Sequence, residues 1–186
     1  PVPWDNKQPG PQYLIDAENY RKSDKSFGQY AFYYMKISSA TNTRTMIGTV
    51  LHDTPSVYSL CLLTNAQYSL TQWFSLFFVM NSFVYDYIVR QRLGGLNITG
   101  YVLRNTPIPQ MDNSLANVTS LLSARLSFPS IRFSPQWWSL SQSAKNNLRR
   151  YSWKSLWAVT TYERIRCRCI LDAIVASGAR GTGAAA

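Results

Sequence analysis

The residues with the widest chemical reach in this sequence are its arginines. Thirteen of the nineteen basic residues are Arg, against seven Asp and two Glu, for a net charge of +10. A guanidinium is a planar, permanently charged fork that can grip a phosphate or a guanine edge through two parallel hydrogen bonds. The candidates for such contacts are Lys36, Asn42, Arg44, Arg90, Arg92, Arg104, Arg149, Arg150 and Lys154. Arg44 and Asn42 sit at a turn, and Arg149, Arg150 and Lys154 lie among Tyr151, Trp153 and Trp157. Cations interleaved with aromatics can hold a nucleic-acid backbone and stack a base. Each has a plainer reading. Arg44 can pair with a carboxylate such as Asp53 or hold loop carbonyls, Arg90 and Arg92 can complement a helix dipole, and 149–157 can be a solvated face over a tryptophan-rich core. Arg164, Arg166 and Arg168 cannot all share one face of a helix, so at most two meet any one partner.

Other chemistries lack their parts. His52 is the only histidine, which leaves a serine or cysteine nucleophile without an evident base and rules out a zinc site of the usual kind. The carboxylates are dispersed, with no spacing that suggests a general acid/base pair. No phosphate-cradling Gly-x-x-x-x-Gly-Lys-Ser/Thr loop occurs, and the glycines at Gly178 to Gly183 follow no strand. No catalytic residue, metal ligand or cofactor-binding residue is assigned. Cys61, Cys167 and Cys169 are too few for a disulfide framework and suggest a reducing, cytoplasmic setting. The chain starts at Pro1, not Met, and reads as a piece of something longer.

The elements that position these residues follow from patterning. At 186 residues with 46% hydrophobic and 14% aromatic content, the chain can bury a real core. Residues 1–29 read as an extended lead-in, proline-rich from Pro1 to Pro11 and mixed polar, either irregular or a short helix, from Tyr13 to Lys25. Tyr30 to Ile37 and Arg44 to Leu51 read as a β-hairpin, and Val57 to Leu63 as a third strand. Leu70 to Val89 is long enough to span a bilayer. Gln72, Ser75, Ser82 and Asp86 nevertheless fall on one side at helical spacing, which predicts one amphipathic helix ending at Arg90, Arg92 and Gly94-Gly95. Asn81-Ser82 then sits mid-helix as a packing or hydrogen-bonding feature. Leu96 to Leu103 reads as extended. Asp112 or Asn113 can cap a helix with Leu115, Val118, Leu122 and Leu126 on one face, and Thr160 to Glu163 fits a capping box opening a helix to Ser177. The expected divisions are a core at 30–111, a helical and aromatic/basic part at 112–177, and a flexible tail at 178–186.

Several segments, in order, resemble one family. Thr41-Asn42-Thr43-Arg44-Thr45 followed by Met46-Ile47-Gly48 resembles the "TNERT-apolar-apolar-A" hairpin in the C-terminal part of N6-adenine DNA methyltransferases. These occur in type IIG restriction–modification enzymes and in BREX and DISARM phage-defence systems. Phe78 to Gly95 is similar to their "LLNSFVFDFLLRQKVGG" helix, and Asn97 to Pro109 to the "LNxxxLxxLPVP" segment after it. Ser123 to Phe133 resembles a later "ARL…F" helix, and Glu163-Arg164 with Leu171-Asp172-Ala173 an "ER…LDA" helix. The likeness spans roughly 30 to 176 and extends to target-recognition domains of type I specificity subunits. Met35-Lys36 stands where the family commonly has Arg-Asp, and no Asn/Asp-Pro-Pro-Tyr/Phe catalytic loop occurs.

The resemblance implies an α/β (α+β) target-recognition fold: a small mixed or antiparallel sheet packed by a long amphipathic helix, with further helices C-terminal. It implies a non-catalytic fragment that binds double-stranded DNA beside a methyltransferase domain, the latter holding S-adenosylmethionine. Neither a membrane nor a small-molecule substrate is expected as partner. The alternatives are a scaffold or protein-interaction module whose apolar Asp53–Asp86 region docks onto a complex, and an enzyme with an unrecognised site.

Overall fold

The computed structural model describes residues 14–23, 28–109, 113–143 and 153–181. Three strands form an antiparallel sheet in the order β2-β1-β3: β1 Tyr30–Met35, β2 Gly48–His52 and β3 Leu60–Thr64. β1 (YAFYYM) is central and buried from Ala31 to Tyr34, as a nearly continuous apolar and aromatic strand demands. Phe32 pairs with Val50 on one side and Leu63 on the other. Gly48, opposite Tyr34, has no room for a side chain, because a Cβ there would collide with the Phe32 ring. The expected pairing of the first two strands is present. The third strand completes the sheet by pairing with β1, not β2.

Helices cover this sheet, so the fold is mixed α/β. α1 (Ala17–Lys22) is short and capped by Asp16, whose carboxylate accepts from Asn19 N. Tyr20 ties it to the sheet by donating to Asp53 Oδ1 at 3.0 Å. α2 (Leu70–Met80) opens with a full capping box between Ser69 and Gln72 and buries Trp73, Phe74, Phe77, Phe78, Val79 and Met80. Burying side chains of this size stabilises by roughly 1.5–3 kcal/mol each, so α2 is the centre of the core. α5 (Ala116–Ser127) packs along it, with Ser123 Oγ donating to the Phe74 carbonyl at 3.0 Å. α6 (Ser134–Ser143) and α7 (Trp153–Leu156) follow, and α8 (Thr161–Gly181) closes the core through Cys167, Leu171 and Val175.

Several expectations need correcting. The helix read across Leu70 to Val89 is two, α2 and α3 (Phe83–Arg92), broken at Asn81-Ser82. Asn81 ends the first, and Ser82 caps the second by accepting from Tyr85 N at 3.1 Å. Leu96 to Leu103 is not extended: Thr99 caps a single helical turn, α4 (Gly100–Arg104), and only Asn97 bridges to Ile37. Val118, expected on the packed face of α5, is 47% exposed; Thr119, Ser120, Ser123 and Ala124 are buried there instead. The capping box at Thr160 is present as read, with Glu163 N donating to Thr160 Oγ1 and Glu163 Oε2 accepting from Thr160 N. A single buried cluster runs from Phe32 to Val175, across the expected boundary at 111/112. The helix expected to end at Ser177 runs on to Gly181, so 178–181 of the expected tail are helical. Residues 1–13 and 24–27 of the lead-in, the possible cap at Asp112, Arg149, Arg150 and 182–186 of the tail lie outside the described residues.

Candidate functional site

The loop between β1 and β2 is held by charged residues from α3 and α8. Asp86, buried on α3, accepts from Thr45 N at 2.8 Å and Met46 N at 2.6 Å with one oxygen, and from Arg90 Nε at 2.7 Å with the other. Arg90 then donates to the carbonyls of Ala40 and Thr43, both at 2.9 Å. Two buried loop amides and two loop carbonyls thus meet one ion pair. Arg44 points inward. It donates to the Asn81 carbonyl at 3.1 Å and to Asp172 Oδ2 at 3.2 Å, and its guanidinium lies 3.4 Å over the Phe83 ring. Asp172, on α8, also accepts from Phe83 N at 2.6 Å, satisfying an orphan donor in the first turn of α3. The carboxylate that Arg44 finds is Asp172, not Asp53.

Parts of three of the segments that carry the family resemblance meet in one network, whereas 97–109 and 123–133 take no part in it. Thr43 to Met46, Asn81 to Arg90 and Asp172 meet there, and Gly48 N donates to Asn81 Oδ1 at 3.1 Å. Arg164 is held in the same manner, buried on the carbonyls of Ala158 and Leu126.

Beside this network opens a cleft of about 960 Å³. Strand β2 and the loop before it contribute Ile47, Thr49 and Leu51; the end of α5 and the turn after it contribute Ser127, Ser130, Arg132 and Phe133; α8 contributes Arg164, Arg168 and Leu171. With Arg44, four guanidinium groups border one concave space. Burial, and then the nearby Arg168 charge, pull the Arg164 guanidinium down to about 10. Arg168, partly exposed, is lowered as well, by partial desolvation first and by Arg44 second, against Asp172, which raises it. Of the arginines at 164, 166 and 168 on α8, Arg164 and Arg168, one turn apart, line the cleft and Arg166 does not.

The remaining candidates are dispersed. Lys36 Nζ sits 3.4 Å over the Tyr58 ring, Asn42 is exposed at the cleft margin, and Arg92 and Arg104 are exposed in the last turns of α3 and α4. Lys154 falls on α7, with its side chain outside the described residues. Sequence reading did not single out Arg132 and Arg168 as site residues. For Arg168 the signal was its four-residue spacing from Arg164; Arg132, after Pro129, gave none.

The acids are distributed differently. The six carboxylates among the described residues are all engaged internally: Asp16 and Glu163 as caps, Glu18 with Lys22, Asp53 with Tyr20 and Gly28 N, Asp86 with Arg90, and Asp172 with Arg44. Arg21, Arg92, Arg104, Arg132, Arg166 and Arg168 are exposed, and none of them forms an ion pair with a described carboxylate. Among the described residues no cluster of three His, Cys, Asp or Glu is suited to a metal ion, and no helix is long and apolar enough to cross a membrane. No family model matches the chain, and neither a curated protein nor a solved structure matches it.

Proposed function

We propose that the chain is a DNA-binding, target-recognition module of a larger N6-adenine methyltransferase-type protein, acting by binding. A partner domain holding S-adenosylmethionine would flip and methylate the adenine. One observation carries the reading: every described carboxylate is engaged within the chain, five in the scaffold and Glu18 in an exposed pair with Lys22, while six arginines stand exposed without one. Such a charge separation favours a polyanion, because each phosphate neutralised releases condensed counterions. The internal networks have a place in this reading too. They fix the 39–47 loop rigidly, and a recognition surface has to be stiff to set register on a duplex.

The experiment is selection of duplexes from a random-sequence pool by the immobilised chain. Enrichment of a short common sequence supports target recognition. Retention without enrichment reduces the proposal to non-specific DNA binding, and no retention at low salt overturns it.

A second reading is favoured by a separate feature. Met35, Ile37, Val57, Tyr58, Leu60 and Leu62 are exposed on or beside β1 and β3, at 37% or more each. An apolar group of this kind suits a protein contact, such as docking onto the partner domain.

A further inference from the structure

The concave cleft and the exposed cations make different demands on a ligand. What enters the groove of a duplex is a convex element, a helix or a ribbon. A cleft receives a ligand instead, and about 960 Å³ lies at the upper end of the range for small-molecule pockets, roughly 300–1,000 Å³. Its chemistry is mixed. Leu51, Phe133 and Leu171 give apolar wall, and Phe133 is itself stacked on Phe128 at 4.8 Å between centroids. Thr49, Ser127 and Ser130 add hydroxyls.

The charge in the cleft is unbalanced. Arg44 is matched by Asp172, whose two oxygens are occupied by Arg44 and Phe83 N. Arg132 and Arg168 bring two more positive charges; neither meets a described carboxylate at ion-pair distance, although Asp172, one turn along α8, is near enough to act on Arg168. Two forks in one concavity match the charge of a phosphate monoester, about −1.5 to −2 near neutral pH, and a guanidinium binds phosphate bidentately. We propose that this cleft is a phosphate-binding site for a nucleotide-sized ligand, gripped by Arg132 and Arg168, with the apolar wall taking the base or sugar. The phosphate can come from a free nucleotide or from the end of an unpaired strand. The proposal deepens the nucleic-acid reading by adding a pocket for a single nucleotide, but it does not depend on duplex binding.

Isothermal titration of the full chain with AMP, with 5′-phosphorylated tetrathymidylate and with its unphosphorylated counterpart tests it. Both phosphorylated probes, or one of them, should bind at least tenfold more tightly than the unphosphorylated strand. AMP as the better ligand assigns the site to free nucleotides, and the phosphorylated strand as the better one assigns it to strand ends. Arg132→Gln with Arg168→Gln should lose that preference, while Lys22→Gln, on α1 and outside the cleft, should keep it. Both altered side chains of the pair are exposed, and an unchanged melting temperature confirms the fold; Arg168→Lys should retain part of the affinity. Equal binding of phosphorylated and unphosphorylated probes, no binding of either up to millimolar concentration, or an unaffected double variant would each overturn the assignment. A labelled duplex titrated in parallel separates the two ideas. Duplex binding that survives while the phosphate probes fail removes only the cleft, and the reverse outcome removes only the duplex reading.

Discussion

At the scale of single residues, the charged side chains divide into those that build and those left over. Arg44 belongs to the first group. It is largely buried with Asp172, with side-chain exposures of 15% and 19%, and it also holds the Asn81 carbonyl. Removing one member of such a pair strands the other, so Arg44→Ala should destabilise by about 3 kcal/mol. Arg44→Ala and Asp172→Ala together should cost less than the sum of the two, a coupling measurable by a denaturation double-mutant cycle. Additive costs would show that the two side chains act independently. Glu163 gives a pH dependence. The backbone N–H of Thr160, and then its hydroxyl, hold the carboxyl below its usual 4.5. With the folded value below the unfolded one, the proton binds the unfolded chain more readily. The stabilisation is therefore present above about pH 4.5 and is lost as pH falls through the folded value. Melting temperature followed from pH 7 to pH 3 should fall less steeply for Glu163→Gln than for the unaltered chain, and identical slopes would exclude this contribution. The capping box itself was readable, because Thr160 and Glu163 are near in sequence. The Arg44–Asp172 pair was not, since 128 residues separate its members and only the fold brings them together.

At the scale of elements, period and cap signals compete. Leu70 to Val89 reads as one helix because the apolar positions keep helical spacing across Asn81-Ser82. The break depends on contacts no local pattern reveals. Ser82 is fully buried, accepts from Tyr85 N and donates to the Val79 carbonyl at 2.7 Å, while Asp172 arrives from α8 to satisfy Phe83 N. Ser82→Ala removes the cap and should cost about 1 kcal/mol in chemical denaturation. Stability unchanged within error would mean that the cap adds nothing beyond solvent. The 96–103 segment misled for a related reason. Its β-branched Ile98 and Val102 suggest a strand, but Thr99 is placed to accept from Val102 N at 3.3 Å, and one helical turn results. The three strands were legible because aromatic and β-branched runs between turn residues leave little choice. Their order was not, because the seven residues 53–59 between β2 and β3 are enough to let β3 pair with either β2 or β1.

At the scale of the whole molecule, the hydrophobic core joins what reads in sequence as two parts. The residues of α2 and α5 that meet in it lie on either side of the Pro-rich 106–109 segment. Composition announced a large positive charge but not its arrangement. That arrangement follows from where the few acids go: the described ones go into caps and ion pairs, and Asp53 into hydrogen bonds from Tyr20 and Gly28 N. Arg21, Arg92, Arg104, Arg132, Arg166 and Arg168 are consequently exposed without an ion pair to a described carboxylate, which is the basis of the proposed DNA contact. Fluorescence anisotropy of a labelled duplex, titrated with the full chain between 50 and 200 mM salt, tests this most directly. A polyelectrolyte interface with six or more phosphate contacts should lose about 10³-fold in affinity over that range, with the logarithm of the binding constant falling linearly against the logarithm of salt concentration. Weak binding that does not change with salt would contradict the account.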